Sequence, residues 1–135
     1  MRKLLPLSAL ALLLGAGTAL AAEPGGREAE LARALEGRVA GDPVDCIDLH
    51  RVRSSRVITD TAILYDAGSV IFVNRPRSGA ESLNRWDTLV TRTPSTRLCS
   101  IDAVRVVDLP SGMMTGLVFL GDFVPYRRVT TGSRD

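Results

Sequence analysis

Residues 1–21 set the terms on which the rest of this chain folds. Met1-Arg2-Lys3 is a short basic n-region, and residues 4–14 (LLPLSALALLL) form an apolar h-region. Ala19-Leu20-Ala21 offers the small-x-small pattern that signal peptidase reads. A cleaved Sec-type signal peptide is expected, with Ala22 opening a periplasmic or secreted protein. The rival reading is an uncleaved membrane anchor. Pro6, Gly15 and Gly17 interrupt the apolar run, which falls short of the ~20 apolar residues a spanning helix needs. No second stretch of that length follows. There is no cysteine at the cleavage site for lipidation and no Arg-Arg pair for twin-arginine export.

Removing 21 of 135 residues leaves 114, enough for one domain. Arg2 and Lys3 leave with the signal, which brings the 17 basic residues level with the 15 acidic ones. A balanced charge gives no electrostatic footprint for nucleic acid or for an anionic membrane surface. Every basic residue after Lys3 is arginine. Schiff-base chemistry, lysine general bases and Ser-Lys dyads are therefore ruled out in the mature chain. The single histidine, His50, leaves little room for acid–base catalysis near neutral pH.

Residues 22–45 read as a leader with one short helix. Leu31 and Leu35 are spaced i, i+4 in residues 28–36 (EAELARALE), and Gly37 is a natural stop. From Cys46 the pattern turns to strand, and residues 46–126 read as a β-rich domain. Candidate strands cover residues 46–52, 55–60, 61–65, 70–74, 86–93, 103–109 and 114–126, the last bent near Gly121. Asp66-Ala67-Gly68-Ser69 separates two β-branched and aromatic runs and predicts a hairpin. Residues 127–135 read as a flexible tail. The fold class expected is mainly β (α+β). It has a short N-terminal helix and a small antiparallel sheet of about six strands, closed as a barrel or a sandwich.

Two cysteines in a small exported domain are most often paired. A Cys46–Cys99 disulfide closes a loop worth roughly 4 kcal/mol by chain entropy. The alternative is a thiol or metal site built from Cys46, His50 and Cys99. In a strand, however, Cys46 and His50 stand ~13 Å apart, too far for direct contact. No CxxC, nucleophile elbow, phosphate loop, zinc-protease motif or calcium loop is present. Asp42, Asp45 and Asp48 read as a solvated acidic edge. Asp102 and Asp122 are a conceivable carboxylate pair for hydrolysis, although turn capping is the ordinary role of Asp in such contexts. No catalytic residue, metal or cofactor is expected.

Five segments carry a family resemblance: R-V-A-G-D-P-V-D-C-I (38–47), R-V-I-T-D-T-A-I-L-Y (56–65), V-N-R-P-R-S-G-A-E-S-L (73–83), R-L-C-S-I-D (97–102) and F-L-G-D-F-V-P-Y (119–126). In order and spacing they resemble a family of small exported proteins of Gram-negative bacteria, recorded as a domain of unknown function. The resemblance covers almost all of residues 38–126. Relatives in that family often carry two further cysteines, one in the segment matching residues 78–83 and one near Val118. Their joint absence here suits a lost second disulfide and a retained Cys46–Cys99 bond. The resemblance implies export and a compact fold, and it carries over no activity.

The function expected is therefore a non-catalytic exported module that binds a protein or envelope component. The surface expected to make contact is the loop 74–86, with Arg75, Arg77, Arg85 and Trp86, since Arg and Trp are favoured interface anchors. The competing reading of Trp86 has it plugging one end of the barrel. Two alternatives stand beside this function: an inhibitor of an envelope hydrolase such as lysozyme, and a small hydrolase or thiol/metal protein.

Overall fold

The computed structural model describes residues 25–130. The expected signal peptide, the first residues of the expected leader and the last residues of the expected tail lie outside the described residues. One helix and ten strands follow in order. They are α1 (Gly26–Ala34), β1 (Arg38–Ala40), β2 (Cys46–Asp48), β3 (Ser54–Ile58), β4 (Ala62–Asp66), β5 (Val70–Asn74), β6 (Thr88–Thr91), β7 (Arg97–Cys99), β8 (Ala103–Val107), β9 (Met114–Phe119) and β10 (Phe123–Arg128). Two 3-10 turns, Leu49–Arg51 and Ala80–Ser82, interrupt the connections.

All pairing is antiparallel. The main sheet runs β1-β10-β5-β4-β3, a second runs β6-β8-β9, and β2 pairs with β7 alone. The mainly β class with one short helix is as expected. The count of about six strands is too low, and the sheets do not close into a barrel. Strands β1 and β7 have three residues each, too few for an alternation to be read. The expected strand at residues 46–52 stops at Asp48 because the Asp48 carboxylate accepts the His50 N–H at 3.0 Å and starts a 3-10 turn. The expected single strand at 114–126 is two strands in different sheets. Strand β10 continues to Arg128, where it pairs with β1, so the main sheet reaches two residues into the segment read as tail.

The main sheet is buried on both faces because its strands alternate between two apolar sets. Ile58, Ala62, Leu64 and Val73 face α1 and pack with Leu31 and Leu35. Val57, Ile63, Tyr65 and Phe123 face the other way, toward Ile47 and Leu98 of the β2–β7 pair and Val104, Val106 and Val118 of the second sheet. The layers are thus helix, main sheet, and the two smaller sheets side by side. The predicted hairpin forms between β4 and β5. Gly68 adopts φ +84° there, and its N–H donates to the Asp66 carboxylate at 2.7 Å.

Candidate functional site

Loop 74–86 follows β5 and runs between α1 and the second sheet, and its arginines are taken up there. Arg75 donates through both Nη atoms to the two Glu28 carboxylate oxygens of α1, each at 2.9 Å. That fork holds the Glu28 carboxyl below its ordinary range, and the Arg75 guanidinium above its own. Arg77 donates from Nε to the Leu120 carbonyl at 2.7 Å and from Nη2 to the Ser100 carbonyl at 3.2 Å. Arg85 lies 3.5 Å from Glu30, which Arg56 also meets at 3.2 Å. The groove of about 980 Å³ beside α1 is lined by Glu28, Glu30, Arg56 and Arg85 among others, so internal ion pairs run along it. Trp86 is 77% exposed, so it plugs no core.

Cys46 and Cys99 are joined by a disulfide. Their pairing follows from the ladder. Ser100 donates to the Asp45 carbonyl and Leu49 to the Thr96 carbonyl, so the Cys46↔Cys99 position between them is a non-hydrogen-bonded pair. Such pairs bring Cα atoms closest, here 4.0 Å apart. The free Cys99 N–H, turned outward, donates to the Asp102 carboxylate at 2.7 Å. Asp45 lies beside both sulfurs, but the bridge leaves no thiolate to ligate a metal or act as nucleophile. His50 is exposed in its 3-10 turn. Asp102 caps the turn after β7, and Asp122 is exposed. Among the described residues, one buried side-chain polar atom lacks a hydrogen-bond partner, the Tyr65 hydroxyl. Tyr65 packs edge-on against Phe123 with ring centroids 5.8 Å apart, and its burial pushes the phenol well above its usual range.

A surface the sequence reading missed lies on the second sheet. With Val104, Val106 and Val118 turned into the core, their neighbours in the register turn outward. The outer face pairs Val90 with Arg105, Arg105 with Leu117, and Ala103 with Phe119; Arg105, Leu117 and Phe119 are exposed there, and Val90 and Ala103 are half-buried. Leu117 and Phe119 are 39% and 43% exposed, and Leu109, Met113 and Met114 extend the apolar surface along the β8–β9 hairpin. Arg105 is the one charge set among these strand residues, and it forms no ion pair among the described residues. The signal for this face was present in residues 117–119, where Leu117, Val118 and Phe119 are apolar on both sides of the strand. Contiguous exposed apolar surface of this kind marks interaction sites in folded proteins.

No helix of the described residues is long and apolar enough to cross a membrane. Comparison of the chain with family models, with curated proteins and with solved structures gives no match.

Proposed function

We propose that this chain is an exported, non-catalytic module that docks a protein of the cell envelope on the outer face of the β6-β8-β9 sheet. The observation that carries the reading is that face: Val90, Ala103, Leu117 and Phe119 around an unpaired Arg105. A partner would cover the apolar side chains and set a carboxylate against Arg105, the usual division between an apolar core and a polar anchor at interfaces. Export is supported by the signal-like residues 1–21, the Cys46–Cys99 bridge and the resemblance to exported proteins. The non-catalytic part is supported by the disulfide, which occupies both sulfurs, and by the capping role of Asp102.

This reading favours the sheet beside loop 74–86 over the loop itself, because Arg75, Arg77 and Arg85 already hold internal partners, while Trp86 is exposed. A photo-crosslinking residue placed at Leu117 of the exported protein tests it, with the same residue at Ser55 on the far edge of the main sheet as control. A discrete adduct at Leu117, absent at Ser55 and lost with Arg105→Glu, supports the reading. No adduct at Leu117 in a correctly oxidised, exported protein overturns it. An envelope hydrolase such as a lysozyme is one partner of this kind, and inhibition assays with purified protein check it directly.

A further inference from the structure

We propose that a second site, the cleft between the β2–β7 pair and the main sheet, binds a single-chain anionic amphiphile with a carboxylate head. The second sheet covers one end of the main sheet's inner face, and β2–β7 covers the other. At the β2–β7 end the cover stops short and leaves a cleft of about 470 Å³, within the range of small-molecule sites. Phe72 of β5 and Pro125 of β10, paired in register, line its apolar floor.

The rim is cationic. Arg51 comes from a 3-10 turn, Arg97 from β7 and Arg127 from β10. The single carboxylate in the lining is Asp48, and it lies 3.9 Å from Arg51. Arg97 and Arg127 form no ion pair among the described residues. Two guanidinium groups without partners above an apolar floor suit a ligand with an anionic head and an apolar tail. The head would take the forked N–H geometry that arginine offers a carboxylate, and the tail would displace water from Phe72 and Pro125. The disulfide borders the same cleft through Cys46, so the bridge that fixes β7 against β2 also fixes Arg97 against its wall.

The probe is dodecanoate below its micelle concentration, titrated calorimetrically into the oxidised mature protein. Acetate supplies the head alone, and dodecyltrimethylammonium supplies the tail with the opposite charge. Saturable one-to-one binding of dodecanoate, with neither control binding, is expected. Arg97→Gln with Arg127→Gln is expected to weaken it by roughly tenfold or more, while Arg105→Gln leaves it unchanged. Amide shift changes should centre on Phe72, Arg97 and Arg127. Equal binding of the cationic amphiphile, full affinity in a double variant with an unchanged melting temperature, shifts confined to Leu117 and Phe119, or no saturable binding would each overturn the proposal.

Discussion

The side-chain amide of Asn74 pairs with the backbone of Gly121 in both directions. Asn74 Nδ2 donates to the Gly121 carbonyl at 2.6 Å, and the Gly121 N–H donates to Asn74 Oδ1 at 3.0 Å. Asn74 is fully buried, and Gly121 sits where the chain leaves the second sheet at β9 and enters the main sheet at β10. The backbone at that corner has no strand to pair with, and the asparagine takes the strand's place. A side chain at 121 has no room, since a Cβ there would clash with the Arg75 carbonyl oxygen. Asn74→Ala leaves a buried N–H and a buried C=O unpaired and is expected to cost about 2–4 kcal/mol by urea denaturation. A loss under about 1 kcal/mol would mean that water satisfies the corner instead.

Arg77 and Trp86 separate a structural role from a surface role. Arg77→Ala removes the bonds that tie loop 74–86 to Leu120 and Ser100, and it should lower stability by about 1–3 kcal/mol. Trp86→Ala removes an exposed ring and should change it by less than about 0.5 kcal/mol. Thermal melts of the two variants side by side check the contrast, and equal effects would contradict the placement of Arg77.

Tyr65→Phe is expected to leave the fold unharmed and to raise stability by about 1 kcal/mol or more, because the hydroxyl it deletes is buried without a partner. The same group sets an alkaline limit. Burial holds the folded-state phenol above its unfolded value, so the folded protein keeps its proton at a pH where the unfolded chain loses it. Stability is then intact below about pH 10, the ordinary phenol value, and falls as the pH rises beyond it. Denaturation midpoints measured between neutral and strongly alkaline pH should show that fall in the wild type and a shallower one in Tyr65→Phe.

Replacing both cysteines by alanine opens a loop with a sequence separation of 53 and should cost about 4 kcal/mol by the chain-entropy account. Ile47 and Leu98 stay buried across the same strand pair, so the fold is expected to persist with a lower melting temperature. Fully unfolded protein after reduction at room temperature would show that the apolar core alone is insufficient.

The main sheet was legible in the sequence where β-branched and aromatic residues clustered, as in Ser54–Ile58, Ala62–Asp66 and Val70–Asn74. The Asp-Gly hairpin was legible for the same local reason. Strands β1 and β7 were not, since three residues carry no periodicity. The 114–126 run hid a change of sheet because Val118, Leu120 and Phe123 all enter one core from either side of the corner. The arginines of loop 74–86 looked free for a different reason. Their partners are Glu28 and Glu30 of the distant α1 and backbone carbonyls, and no local pattern records either. The outer face of the second sheet had a signal in Leu117, Val118 and Phe119, consecutive apolar residues of which a strand can turn only alternate ones into one core.

Among the described residues, strand β1 finds its only main-sheet neighbour in β10, with Arg38 opposite Arg128 and Ala40 opposite Tyr126. The first strand of the fold therefore waits for the last. Strand β1 emerges early from a ribosome, yet the edge it forms cannot be built until the far end of the chain has arrived. Pairings so distant in sequence place folding at the slow end of the millisecond-to-second range of small β domains. They also make it an event of the finished chain, with the early segment open to proteases and to other unfinished chains until β10 docks.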